Sequence, residues 1–234
     1  MLSKRTRSLL AAVWAVLFLL AAMAHPGAAA PRTANAWRAI NIGLPGVSYN
    51  DLKSLAVDPL DPFILYAGSA PAFGMAKGVY KSTNGGASWF ASDSGLPTNA
   101  LIAGLYIDPT NTQILYARHD QIGLYKSINA GQTWSKLTIL NSSLEDVWAV
   151  AVYGSTLYVG GYQDAYISTN GGDTWNKTFS SPGGGTFNAL WVDPGDTTHV
   201  IAAVGSSMYQ TANSGHDWTQ YNALKSGVCD TAVT

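Results

Sequence analysis

Nine residues recur four times along this chain. Lys81 to Trp89 reads KSTNGGASW, 126–134 reads KSINAGQTW, 167–175 reads ISTNGGDTW and 210–218 reads QTANSGHDW. The asparagines, at 84, 129, 170 and 213, are 45, 41 and 43 residues apart. Self-similarity at that period marks a repeat architecture, and the blades of a β-propeller have about this length.

The remainder of each repeat aligns as well. SLAVDP (54–59), GLYIDP (104–109) and ALWVDP (189–194) are one element. ILYAGS (64–69), ILYARH (114–119), TLYVGG (156–161) and HVIAAV (199–204) are the next, followed by GVYKS (78–82), GLYKS (123–127), DAYIS (164–168) and SMYQT (207–211). Each is a short run rich in Val, Ile, Leu and Tyr bounded by turn residues, which reads as a strand. After residue 30 no segment sustains apolar residues at i, i+3, i+4 and i+7, so helices are not expected. Each repeat is therefore predicted to be four antiparallel strands, a to d from the inside out. Asp-Pro closes strand a in three repeats, where Pro presets φ for a turn. The third repeat uses Gly154-Ser155, a two-residue hairpin.

The nine-residue motif is predicted to be the c–d turn. Its Asn side chain is expected to accept from backbone N–H groups two or three residues on. Gly86, Gly131, Gly172 and Gly215 sit where a tight turn needs positive φ. Trp89, Trp134, Trp175 and Trp218 are expected to pack against the neighbouring blade. A phosphate loop would need a following helix N-terminus or a Gly-Lys-Ser/Thr ending, and neither occurs.

S-x-N-x-G-x-x-W, carried by Ser82, Asn84, Gly86 and Trp89, by Ser127, Asn129, Gly131 and Trp134, and by Ser168, Asn170, Gly172 and Trp175, resembles the Asp-box, or BNR repeat, with Asn in the Asp position. Thr211, Asn213, Gly215 and Trp218 form the fourth copy, with Thr in place of Ser. The resemblance covers residues 37 to about 222 and implies an all-β propeller. Families with such repeats include sialidases, family 74 xyloglucanases, sortilin-type receptors and photosystem II assembly factors. In them the Asp-box turn lies on the face away from the active or binding site, so the resemblance implies architecture before catalysis.

The blades are expected at about 52–94, 99–139, 145–180 and 186–223. AWRAINIGLP (36–45) parallels SWFASDSGLP (88–97), which predicts an orphan outer strand at 37–42 without its own a, b and c. VCDTAVT (228–234) reads as the start of a further blade. These two pieces suggest a fragment of a larger propeller, since the outer strand of one end commonly completes a blade begun at the other.

Residues 1–24 read as a signal peptide and 25–36 as a linker. Lys4, Arg5 and Arg7 form a positive n-region, Leu9 to Ala21 is uncharged and apolar, and Ala22-Met23-Ala24 offers a cleavage site. The run to Ala24 is shorter than the ~20 residues of a spanning helix, so an exported protein without a membrane span is expected. Three of the 13 Lys+Arg lie in this segment and none of the 14 Asp+Glu does. The remainder is net negative, without an electrostatic footprint for nucleic acid. Cys229 is the only cysteine, so no internal disulfide framework exists. The histidines, at 25, 119, 199 and 216, show no metal-ligand spacing. No metal or cofactor is called for.

If the c–d turns line one face, the b–c and d–a loops line the other, and variable loops on a rigid scaffold carry function. The candidate ligand-binding rim is Arg118, His119 and Asp120, with Tyr162 and Asp164 from the next blade and Tyr49, Asn50, Asp51 and Phe73 across it. A sialidase-like arginine clamp is not available, because beyond the signal peptide only Arg32, Arg38 and Arg118 occur. LYARHDQIG (115–123) is similar to the family 74 xyloglucanase segment Tyr-Ala-Arg-Thr-Asp-Ile-Gly-Gly, whose Asp is catalytic. That resemblance implies Asp120 as one carboxylate of an inverting pair. Here Gln121 precedes Ile122 and a single Gly follows, and the second carboxylate is unassigned. The expected function is a non-catalytic binding or assembly scaffold for a protein or polysaccharide. The alternative is a glycoside hydrolase of the xyloglucanase type acting on β-glucan through Asp120.

Overall fold

The computed structural model describes residues 40, 42–44, 52–70, 78–139, 147–182 and 184–221. The segments read as a signal peptide (1–24), a linker (25–36) and the start of a further blade (228–234) lie outside the described residues, as do Tyr49, Asn50, Asp51 and Phe73. The described chain is all β, in four four-stranded antiparallel sheets, each formed by consecutive strands in sequence order. Blade 1 contains β1 (Leu52–Val57), β2 (Leu65–Ser69), β3 (Gly78–Ser82) and β4 (Phe90–Ala91). Blade 2 contains β5 (Ile102–Ile107), β6 (Leu115–His119), β7 (Gly123–Ser127) and β8 (Ser135–Lys136). Blade 3 contains β9 (Ala149–Tyr153), β10 (Thr156–Gly160), β11 (Asp164–Ser168) and β12 (Asn176–Ser180). Blade 4 contains β13 (Phe187–Val192), β14 (Val200–Val204), β15 (Ser207–Thr211) and β16 (Thr219–Tyr221).

The strand-a members β1, β5, β9 and β13 lie side by side in that order, so this is a β-propeller arc. A single four-stranded sheet cannot cover its own two faces, and the core therefore forms between blades. Tyr66 and Val79 of blade 1 pack with Leu105, Leu115, Ala117, Tyr125 and Trp134 of blade 2. Tyr116 and Leu124 of blade 2 pack with Val150, Leu157, Val159 and Trp175 of blade 3. Each turn tryptophan thus faces the preceding blade, and Trp89, Trp134 and Trp175 are buried.

The turn chemistry differs from the expected Asn-centred turn. The glycine N–H is accepted by the hydroxyl of the Ser or Thr that opens the motif, at 2.9, 2.9, 2.8 and 3.0 Å in blades 1 to 4. The same hydroxyl donates to the Asn Oδ1. That Oδ1 accepts from the N–H four residues on, at 2.9 Å in every copy. The expectation overlooked the hydroxyl because an Asx-turn needs none, whereas here the chain makes two successive left-handed steps. Gly86, Gly131, Gly172 and Gly215 take φ of 84°, 82°, 98° and 85°, each after another positive-φ residue. Two such residues turn the chain so that the fourth amide on meets the Asn side-chain Oδ1. The outer strands begin one residue after the tryptophan. Gly154-Ser155 closes the predicted hairpin, pairing Tyr153 with Thr156, with Gly154 in the left-handed region.

Candidate functional site

The b–c rim differs in every blade. Three residues after the strand-b residue that pairs with the motif Ser or Thr, the register sets Gly68, Arg118, Gly160 and Ala203 in equivalent places. Small residues are required where the next blade comes close: a Cβ at Gly160 would lie 2.3 Å from Phe187 Cγ. Blade 2 alone places a guanidinium there. Its cross-strand partner is Gly104, where a Cβ would stand 2.8 Å from the Tyr106 hydroxyl. The missing side chain leaves room for Tyr106 and Arg118 side by side. Burial raises the Tyr106 pKa, and the hydrogen-bonded Arg118 guanidinium opposes that rise.

Arg118 is held from two sides. Its Nη1 donates to the Val147 carbonyl of blade 3 at 3.1 Å and lies 3.8 Å from Asp120 Oδ1. Its buried Nε has no hydrogen-bond partner among the described residues. The Asp120 side chain is 47% exposed, and its backbone N–H is anchored on the Leu101 carbonyl. The pair is a fixed cation with an outward carboxylate.

His119 sits differently from the expected rim position. The ring is buried. Leu101 N–H approaches Nε2 and Gln121 N–H approaches Nδ1, both at 3.1 Å. A neutral imidazole has one bare nitrogen, so one of these donors is accepted at a time, and an imidazolium would accept neither. Burial depresses its pKa, with Asp120 opposing and Lys136 reinforcing the shift. His119 organises the loop from within.

In blade 3, Asp164 accepts from Lys177 and from Ser180 at 2.8 Å each, both on its own outer strand. It joins neither Arg118 nor Asp120. Burial works to raise its pKa, and the bonds from Lys177 and Ser180 outweigh that and leave it lowered. Tyr162 is 64% exposed on a loop tied down by its bridge to Thr186 and by bonds from Gln163 N–H to Gly185 and from Ser181 N–H to Gln163. Gln163 takes φ of 71°, an uncommon conformation for a residue with a Cβ. Strained residues of this kind cluster at binding sites.

One rim residue escaped the sequence reading. Trp148 is half-exposed, follows the carbonyl that holds Arg118, and bonds through its N–H to Gly160 O, two residues before Tyr162. A tryptophan where the register puts Ala103 in blade 2 and Asn188 in blade 4 was the available signal, hidden because the VWAV run reads as strand.

On the opposite face lies a cavity of about 370 Å³ between blades 2 and 3, lined by Asp108, Thr110, Lys126, Ser155, Asn170 and Gly171 among others. It opens where blade 3 has its two-residue a–b turn instead of the seven-residue loops of the other blades, such as 108–114. Asp108 is already engaged there by Thr110 and by Gly154 N–H. Among the described residues no group of three His, Cys, Asp or Glu forms a metal site.

No family model matches the chain. It is 29% identical over 175 residues to xyloglucanase Xgh74A of Acetivibrio thermocellus, covering 58% of this chain and 20% of that protein. It is 29% identical over 215 residues to a xyloglucanase of Paenibacillus sp., covering 72% of this chain and 20% of that one. The GH74 xyloglucanase structure from Xanthomonas campestris superposes with a TM-score of 0.58 at 20% identity, over 71% of this chain and 29% of that chain. The chain thus spans about a fifth of the length of the curated relatives it matches.

Proposed function

We propose that this chain is an exported polysaccharide-binding propeller whose rim at blades 2 and 3 receives a β-glucan. The observation that carries the reading is the rim itself: exposed Trp148 follows the Val147 carbonyl that holds Arg118, and exposed Tyr162 lies two residues from the Gly160 carbonyl that Trp148 N–H bonds. Sugar recognition needs flat apolar rings with a few polar groups held in place, the usual make-up of a small-ligand site. The similarity to proteins named xyloglucanases supports the choice of a glucan over a protein partner. Export rests on the leader read at 1–24.

Hydrolysis is a second reading, favoured by the exposure of Asp120 within the LYARHDQIG segment. An inverting pair needs its second carboxylate at ~6.5–9.5 Å. Asp164, the carboxylate that the sequence placed on the same rim, is paired with Lys177, so binding is the primary reading. Affinity electrophoresis in gels containing soluble xyloglucan tests both. The native chain should be retarded relative to a gel without polysaccharide, and Trp148→Ala with Tyr162→Ala should migrate freely. Unretarded native chain would remove the binding reading. Release of reducing ends by the native chain, abolished in Asp120→Asn, would promote the hydrolytic one.

A further inference from the structure

Next to Arg118 stands a second departure from the repeat. Four residues after the strand-b residue that pairs with the motif Ser or Thr, the register sets Ser69, His119, Gly161 and Val204 in equivalent places. Blade 2 alone puts a titratable ring there. The ring is buried and clips two segments together. Leu101 N–H faces its Nε2 and Gln121 N–H faces its Nδ1, each at 3.1 Å. Asp120 N–H closes the same stitch by bonding Leu101 O at 2.8 Å. The b–c turn that carries Asp120 is thus fastened, through one side chain and one amide, to the segment entering β5. In blades 3 and 4 backbone bonds fasten the loop, from Gly161 N–H to Asp164 O and from Gly205 N–H to Thr186 O. Backbone bonds do not titrate between pH 5 and pH 8, whereas an imidazole does.

A neutral imidazole offers these two amides one bare nitrogen, and an imidazolium offers none. Once charged, the ring would point N–H at N–H on both sides. Leu101 meets it with a donor, and Ala100 and Ile102 beside it carry no ionisable group. Burial disfavours the charged ring, Asp120 on its own turn favours it, and Lys136 on β8 disfavours it. Asp120 is the half-exposed member of this set. A protonated His119 therefore loses both amide partners and is drawn outwards, to the carboxylate that otherwise lies 3.8 Å from Arg118 Nη1.

We infer that His119 is a proton-operated clip on the rim: the neutral ring holds Asp120 and its turn in the arrangement that receives the glucan, and protonation releases that turn and weakens binding in acid. The inference rests on the rim reading of function and adds the regulation of that site. Binding is full where the ring is neutral. It declines as pH falls through the ring's folded-state value, which lies below 6.5. One proton is exchanged, so the loss cannot exceed about tenfold per pH unit.

The test follows ring and ligand together between about pH 7.5 and pH 5, above the ordinary range of the carboxylates. In the isotope-labelled native chain, the nuclear magnetic resonance signals of the His119 ring and of the Leu101 and Gln121 amides should move with one common midpoint. Calorimetric titration of a xyloglucan oligosaccharide at the same pH values should show the dissociation constant rising below that midpoint, by about three- to tenfold per pH unit. His119→Gln, whose amide oxygen accepts one of the two N–H groups at any pH, should hold its own dissociation constant within about twofold across the range. His199→Gln should keep the native pH dependence. A native dissociation constant that is level across the midpoint of the ring would overturn the inference, as would an equal decline in His119→Gln. So would a ring that takes up its proton while both amide signals stay in place, or that stays neutral down to about pH 5. Absence of binding at pH 7.5 would instead remove the polysaccharide reading, and the shared midpoint of ring and amides would then decide alone whether the clip exists.

Discussion

On the turn face, Ser82, Ser127, Ser168 and Thr211 accept the same glycine amide at nearly the same distance in four blades. On the rim, the equivalent position near the end of strand b is Gly68, Arg118, Gly160 or Ala203, and the loop after it has different bonds in every blade. One face repeats because each blade must meet its neighbour in the same way. The other is free to vary, because the side chains of Asp120, Trp148 and Tyr162 stand outside the cores between blades. A group that recurs at blade spacing reports architecture, and a group that breaks the pattern at some cost, such as a buried guanidinium in a glycine position, is where function is sought.

The comparison breaks most easily at the tryptophans. Trp134→Ala should cost about 3–5 kcal/mol, read as a lower urea midpoint, because the indole fills the core between blades 1 and 2 and bonds Ser92 O. A loss below about 1 kcal/mol would mean that the interface does not rest on it. Next comes Ser127→Ala, which leaves the buried Gly131 N–H without its acceptor and should cost about 1–3 kcal/mol. Ser127→Thr should recover most of that loss, since Thr211 makes the same bonds in blade 4.

His119 sharpens the rim side. Its pKa in the folded chain lies below the ordinary 6.5 because burial penalises the charged ring. The folded state therefore binds fewer protons than the unfolded one. The contribution of His119 is complete above its unfolded pKa and declines as pH falls below it. The urea midpoint should drop between about pH 7.5 and pH 5.5 more in the native chain than in His119→Gln. Equal drops would show that the ring is free to protonate. The smallest effect belongs to Lys126→Ile, at about 1 kcal/mol or less, because blade 3 carries Ile167 at the same position and still packs on blade 4.

The fold was readable because repetition multiplies weak signals. One Asn-x-Gly is ambiguous, and four copies with Trp five residues after the Asn leave a blade as the consistent answer. The order of the strands and the Gly154-Ser155 hairpin followed from turn chemistry that acts over two to four residues. The rim was less readable, since its neighbours are distant in sequence. Nothing local says that Arg118 reaches Val147, that Asp164 is held by Lys177 on its own outer strand, or that His119 turns inward between Leu101 and Gln121. Trp148 was missed because a tryptophan within a β-rich run reads as core, and only the three-dimensional arrangement shows its ring half in solvent.

The central claim is that the irregular face binds and the regular face builds. Calorimetric titration of a xyloglucan oligosaccharide into three proteins tests it directly: the native chain, Trp148→Ala with Tyr162→Ala, and Lys126→Ile on the turn-face cavity. The account predicts that the rim variant loses affinity by at least about tenfold, or 1.4 kcal/mol, while Lys126→Ile binds as the native chain does. Loss of binding in Lys126→Ile with an unaffected rim variant would contradict it and move the site to the turn face.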